Sequence, residues 1–331
     1  MKNVCIVGYG NIGPIHADGV SRAAHANLYG ICDICADRLT AAQAAYPAVK
    51  AYAAYTEVLA DPAVDAVHIC TPHFLHQPMA AQALAAGKAV LLEKPVCINM
   101  QELDILYHDK DAAIGVVLQN RYNPSIQTML QKIQEGSLGK LLGLTAFVAW
   151  QRDAAYYQSG DWRGKWATEG GGLLINQAVH TIDLLSLLGG GITSVRASIS
   201  NKSLDGIIEV EDTADAYLTF GSGARGVFYA TNAYVTTQPV QIELLFEKAK
   251  FRYADGVLYD LQGDPQVIAS DSPAAQGKKY WGNGHTRLIE QFYTALENGT
   301  RDYITLSDAY NSSKALLAFY ESAKENKTIL L

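Results

Sequence analysis

Asn176, His180 and Asp183 stand at i, i+4 and i+7 within the otherwise apolar segment from Gly170 to Asp183, a spacing that lines one face of a helix. Leu174, Val179, Ile182, Leu184, Leu185 and Leu188 surround this stripe, so the helix is expected to be buried and its polar face to need partners or a wet cleft. An imidazole in such a place suits general-base work, because its ordinary pKa lies near neutrality. Lys94, in Glu93-Lys94-Pro95, follows the apolar run from Ala89 to Leu92 at the carboxyl edge of a strand, where open α/β sheets bind ligands. Its ammonium beside a hydroxyl oxygen would stabilise developing alkoxide and help keep His180 neutral until it takes the proton. An isolated polar triplet on a helix reads as packing; Lys94 turns the reading toward catalysis, with Asp183 and Asn176 as orienting groups.

A partner for that chemistry is written at the start of the chain. Gly8-Tyr9-Gly10-Asn11-Ile12-Gly13 follows the apolar run from Val4 to Val7 and opens a helical pattern, the context a dinucleotide-binding turn requires. Gly8 permits the tight turn, Gly10 lets the backbone approach a pyrophosphate, and Gly13 allows close helix–strand packing. Asp33, about 20 residues further on at the end of the next strand, can accept hydrogen bonds from the adenosine ribose and would repel a 2′-phosphate. NAD is therefore expected in preference to NADP, although Arg38 lies within reach of a 2′-phosphate. Thr71 and Pro72 end another apolar run and are candidates to line the cofactor, as is His76. His73 and His76 also raise a metal reading, but no clustered carboxylate completes a site and no metal is expected.

These residues need two kinds of scaffold. At 331 residues the chain exceeds a usual single core. From residue 1 to 121, short apolar runs (Val4–Val7, Leu28–Cys32, Ala66–Cys70, Ala89–Leu92, Gly115–Leu118) alternate with helical patterns, which implies a doubly wound parallel α/β sheet, the Rossmann arrangement. From 122 to 331, alternating segments (Leu141–Trp150, Ser194–Ser200, Thr213–Phe220, Gly226–Asn232, Val240–Phe246) with segregated helices imply an α+β domain on a mostly antiparallel sheet. With 49% hydrophobic and 18% charged residues, a net charge of −7 and no Lys/Arg run, nothing favours nucleic acid or an anionic membrane. No long apolar span or signal-like start is present, and the cytoplasm is the expected compartment. All five cysteines lie in the first third; Cys32-x-x-Cys35 lacks a second ligand pair, so they read as reduced, buried thiols.

Gly8-x-Gly10-x-x-Gly13, Cys70-Thr71-Pro72, Glu93-Lys94-Pro95, the run from Gln119 to Pro124 and the Gly170–Asp183 block together resemble the glucose-fructose oxidoreductase / inositol dehydrogenase / rhizopine catabolism (Gfo/Idh/MocA) family. The resemblance implies a Rossmann domain followed by a large open sheet used for oligomerisation, here a homodimer or homotetramer. It implies NAD(P)-dependent oxidation of a hydroxyl on a sugar, cyclitol or sugar derivative, with Lys94 and His180 holding the reacting group and Glu93 and Gln119 beside the cofactor. Family members often carry Asp-x-x-x-His where this chain has Asn176-x-x-x-His180, and Asp183 is the candidate to supply the missing carboxylate.

Trp150-Gln151-Arg152, Tyr156-Tyr157 and Asp161-Trp162-Arg163 gather aromatic and cationic groups just before the polar helix, a combination that stacks on sugar rings and bonds hydroxyls. Arg152, Trp162 and Arg163 are the candidate substrate contacts there, with Arg121 and Tyr122 where the chain leaves the first domain. Trp281-Gly282-Asn283-Gly284-His285 reads as a turn with His285 capping the next helix. The expected activity is hydride transfer between a sugar-like secondary alcohol and NAD. A redox-neutral lyase or glycosidase that retains NAD, and a non-catalytic NAD or sugar sensor, stand as the alternatives.

Overall fold

The computed structural model describes residues 1–271 and 283–331; Trp281 and Gly282 of the proposed turn lie outside the described residues. The first sheet is built from Lys2–Val7 (β1), Ala26–Cys32 (β2), Lys50–Tyr52 (β3), Ala66–Ile69 (β4), Ala89–Leu92 (β5) and Ile114–Val116 (β6), all parallel, in the order β3-β2-β1-β4-β5-β6. That order reverses at β1/β4, which opens a crevice at the carboxyl ends of the two strands. Its helices are Gly13–Arg22 (α1), Ala36–Ala45 (α2), Tyr55–Ala60 (α3), His76–Ala85 (α4) and Met100–His108 (α5). β3, α2 and α3 carry no strong apolar period in sequence: β3 is three residues long and α2 buries only Ala42.

A 3₁₀ turn, Gln119–Tyr122, leads into Pro124–Gln134 (α6) and the second sheet. Its strands are Leu141–Ala149 (β7), Ile192–Ser200 (β8), Thr213–Phe220 (β9), Arg225–Thr231 (β10), Gln241–Phe246 (β11), Lys250–Ala254 (β12), Val257–Asp260 (β13), Gln266–Ser270 (β14) and Ile329–Leu330 (β15). They lie in the order β14-β13-β12-β11-β7-β10-β9-β8-β15, antiparallel except where β7 and β10 pair in parallel. After β7 a short helix, Ala154–Gln158 (α7), brings Tyr156 to the cleft between the sheets. Alternation along β7, β9 and β10 sends one set of side chains inward against Val179–Gly189 (α8) and a long helix near the chain end, Leu306–Glu325. The opposite face leaves Phe147, Tyr217, Val227, Tyr229 and Leu245 exposed.

The chain returns to the first core before that long helix. Gly284–Asn298 (α9) lays Leu288, Ile289, Phe292 and Tyr293 into the Rossmann core. The close approach uses glycines: a Cβ on Gly19 would lie 2.4 Å from Ile289 Cδ1, and one on Gly115 2.8 Å from Phe292 Cδ2. The chain thus passes from the first sheet to the second between β6 and β7, while a helix of the later segment, α9, completes the earlier core.

Candidate active site

The turn after β1 closes because Gly8 sits at φ +94°, packed against Cys70; a Cβ there would stand 2.7 Å from the Cys70 carbonyl oxygen. Gly13 supports this turn from behind, since its own Cβ would meet the Gly8 carbonyl oxygen at 2.4 Å, and it does not reach the cleft itself. A Cβ on Gly10 would meet nothing nearer than Arg38 Nη1, at 3.9 Å, so the backbone there is open to an approaching group. α1 begins with no side-chain cap and no acid in its first turn, leaving backbone N–H donors for an anion. Asp33 accepts hydrogen bonds from the N–H of Tyr9 (2.7 Å) and Cys35 (2.8 Å), with Arg38 at 3.5 Å. It therefore stiffens the turn and still lines the cleft.

The cleft has a volume of about 1500 Å³, above the roughly 300–1,000 Å³ of a pocket for one small ligand. Gly8, Gly10, Asn11, Ile12 and Asp33 line one end; Thr71, Pro72, Glu93, Lys94 and Gln119 the middle; and Trp150, Arg152, Trp162, Arg163, Asn176 and His180 the wall from the second sheet. The residues fit a dinucleotide on these grounds: an open glycine turn, an uncapped helix start and a carboxylate after β2.

Lys94 and His180 come from different domains to the same place. The Lys94 ammonium donates to the Asn176 carbonyl oxygen at 3.0 Å. That carbonyl lies in a π turn, Leu174–Ala178, rather than in a regular α-helix. His180 follows in the first turn of α8, where Gln119 Nε2 donates to its Nε2 at 3.4 Å. Nε2 is thus the acceptor nitrogen, and buried Nδ1 has no partner among the described residues. Burial, with the nearby Lys94 charge second, pulls the imidazole down to about 3. Burial also lowers the Lys94 ammonium, against an opposing pull from Glu93.

Glu93 accepts from His16 Nε2 at 3.0 Å and from the Lys94 N–H at 3.1 Å. Burial works against its charge, but His16 and Lys94 outweigh it and hold the carboxyl at about 2. His16 Nδ1 meets His68 Nδ1 at 2.8 Å, and His68 Nε2 meets the Tyr293 hydroxyl at 2.7 Å, so a buried file of groups from α1, β4 and α9 ends on Glu93. With Glu93 ionised, each proton in the file points toward it: Tyr293 O–H to His68, His68 to His16, His16 to the carboxylate.

Several expectations from sequence are corrected. Asp183 does not serve His180: buried, it forms a two-pronged ion pair, at 2.9 and 2.6 Å, with a largely covered Arg121. The guanidinium also donates to the Asp308 carbonyl, so Arg121 is committed to the protein and does not line the cleft; Tyr122 packs on the first core instead. Asn176 directs its side-chain amide to Glu169 (2.6 Å) and Tyr156 (3.3 Å). His76 reaches the cleft, but its ring nitrogens are tied to the carbonyls of Pro95 (2.6 Å) and Thr71 (2.8 Å), which makes it a brace for both loops. His285 does not cap α9, a place Asn283 takes; it is buried against the cleft, and burial brings it to about 4.

Glu169 stands outside every pattern that marks the site in sequence. It accepts from the Gly164 N–H and the Asn176 amide, its carbonyl meets His73 Nδ1 at 2.9 Å, and burial raises its pKa. Its one signal is position, an acid directly before Gly170-Gly171-Gly172. The Tyr156 hydroxyl is a second organiser, receiving Arg163 Nη1 (2.8 Å) and Gln177 Nε2 (2.9 Å).

Comparison with known proteins agrees along both sheets. Residues 2–118 match a family described as an oxidoreductase family with an NAD-binding Rossmann fold, and residues 126–252 match the GFO/IDH/MocA C-terminal domain. The chain is 26% identical to myo-inositol 2-dehydrogenase of Thermotoga maritima, over 98% of this chain and 97% of that protein. It superposes on the WlbA dehydrogenase of Bordetella pertussis, solved with NADH and UDP-GlcNAcA, with a TM-score of 0.84 and 29% identity, covering 100% of this chain and 98% of that one. The fold also matches levoglucosan dehydrogenase, solved with NADH and levoglucosan, at a TM-score of 0.88, 22% identity and coverage of 99% of each chain.

Proposed function

We propose, for a chain that belongs to the Gfo/Idh/MocA family of NAD-binding oxidoreductases, that Lys94 and His180 are the catalytic pair of an NAD-linked dehydrogenase acting on sugar-like secondary alcohols. The observation that carries this reading is their convergence from separate domains on one cleft whose other end is the dinucleotide turn. When bound, NAD supplies the hydride acceptor. His180, unprotonated at neutral pH, presents Nε2 as the proton acceptor for the hydroxyl. Lys94, held by the Asn176 carbonyl, places positive charge where alkoxide develops. An imidazole at about 3 is a weak base, so stabilisation of the alkoxide by Lys94 must carry a large share of the barrier reduction. Glu93 keeps a negative charge beside Lys94 and fixes the backbone of the loop through the Lys94 N–H. Trp150, Tyr156 and Trp162 line the sugar side of the cleft and carry the guanidinium groups of Arg152 and Arg163 on their faces.

Formation of NADH, followed by absorbance across a panel of sugars, cyclitols and their derivatives at alkaline pH, tests the activity. Net NADH separates it from redox-neutral chemistry that retains the cofactor. Lys94→Ala and His180→Ala turning over like the parent protein would remove both residues from the mechanism. The exposed apolar stripe of Phe147, Tyr217, Val227, Tyr229 and Leu245 supports a homodimer or homotetramer through the outer face of the second sheet, checked by light scattering. No helix among the described residues is long and apolar enough to cross a membrane; a cytoplasmic location accords with this and is tested by fractionation.

A further inference from the structure

The geometry points to an anionic sugar, one bearing a carboxylate or a phosphate, as the substrate of this cleft, with Arg152 as the residue that selects it; the inference rests on the dehydrogenase reading above. Arg22, Arg38, Arg121, Arg252 and Arg301 each pair with a carboxylate of the protein. Arg152 and Arg163 line the cleft, and among the described residues neither makes an ion pair.

Arg152 is held by its faces. Its guanidinium lies 5.0 Å from the Trp150 ring and 5.1 Å from the Tyr156 ring, one end donates to the Gln151 carbonyl at 2.7 Å, and its buried Nε–H has no partner among the described residues. Stacking fixes the plane of the fork and spends none of its edge donors. Arg163 is clamped in the same way, 4.7 Å from the Tyr156 ring and 4.5 Å from the Trp162 ring. Lys94, whose hydrogen bond is to a backbone carbonyl, brings a third cation to the cleft in a protein of net charge −7.

Glu93 and Glu169 offset part of this charge, but among the described residues no carboxylate forms an ion pair with Arg152, Arg163 or Lys94. Asp33 is bound to N–H donors of its own loop at the dinucleotide end, and Glu93, beside Lys94, is bound to His16 and the Lys94 N–H. Glu169 is tied to Gly164 and Asn176, while Asp161 and Asp255 are exposed at the margin. Of the amides on this wall, Asn176 spends its N–H groups on Glu169 and Tyr156, and Gln177 is engaged at both ends, donating to Tyr156 and accepting from Asn232. A fixed guanidinium fork is matched by a planar carboxylate or a phosphate, and such charge-assisted bonds are about twice as strong as those to a neutral hydroxyl.

The test uses the full chain loaded with NAD and matched pairs: a hexose against its hexuronate, and the same hexose against its 6-phosphate. NADH formation gives kcat/KM, and calorimetric titration into the NADH-bound protein gives Kd for each member. The expected result is a preference of at least about tenfold for the anionic member, narrowing toward unity in Arg152→Gln and falling with added salt. The two pairs show whether carboxylate or phosphate is the preferred anion. Turnover of the neutral hexose as well as either anion overturns the inference and leaves the dehydrogenase reading standing. If no member yields NADH, tenfold tighter binding of an anion upholds the inference and counts against the dehydrogenase, while equal or absent binding of both classes overturns it. A preference unchanged in Arg152→Gln removes Arg152 as its source.

Discussion

Acid should weaken the fold through the same histidine that the proposed chemistry requires to be neutral. His180 sits at about 3 in the folded protein, against about 6.5 for an unfolded chain. Below pH 6.5 the unfolded chain therefore binds a proton that the folded one refuses, so stability is present above that value and is lost as pH falls. Between pH 7 and pH 5 this one group removes about 2 kcal/mol. The perturbation is His180→Asn, which deletes the titration and keeps a polar side chain of similar size. Urea unfolding of parent and variant at pH 7, 6 and 5 gives the assay, and the quantity that matters is how each loses stability with pH. Whatever the substitution costs at pH 7 cancels in that comparison, and the parent should lose about 2 kcal/mol more than the variant over the interval. Parallel losses, within about 0.5 kcal/mol, would refute a buried neutral His180. The catalytic argument would lose its premise with it.

Lys94→Met should lower kcat by roughly 10²–10³ while leaving NADH binding by fluorescence titration close to that of the parent, as removal of one oxyanion donor does elsewhere. Arg121→Ala strands Asp183 as a buried, unpaired charge, and a stability loss of about 3–5 kcal/mol is expected in urea unfolding. Because neither residue lines the cleft, KM measured below the unfolding transition should stay near the parent value. Gly13→Ala places a methyl 2.4 Å from the Gly8 carbonyl oxygen; the turn must open, and NADH affinity should fall at least about tenfold in the fraction that folds.

The glycine turn, Asp33 and the Glu93-Lys94-Pro95 strand end were legible because each is a local pattern: residues close in sequence build them, and their chemistry follows from strand ends and helix starts. The long apolar alternations of the second domain were legible for the same reason. β3, α2 and α3 were not, being short or amphipathic only weakly, so that packing rather than period decides them. The polar helix shows the same limit at the site. Its i, i+4, i+7 spacing marked a face, but a π turn at Leu174–Ala178 changed which groups share it.

The sequence alone therefore determined the two kinds of sheet and the cofactor turn, and marked Lys94 and His180 as the groups proposed to do the chemistry. Only the tertiary structure decided their partners. Asp183 went to Arg121, 62 residues away, and the Asn176 carbonyl went to Lys94, 82 residues away. His16, His68 and Tyr293 joined behind Glu93 although 225 residues separate the last two. A side chain's type fixes what it can donate or accept, but a buried donor binds whichever acceptor the packing of distant elements brings within about 3 Å, and that choice is made by the folded core as a whole.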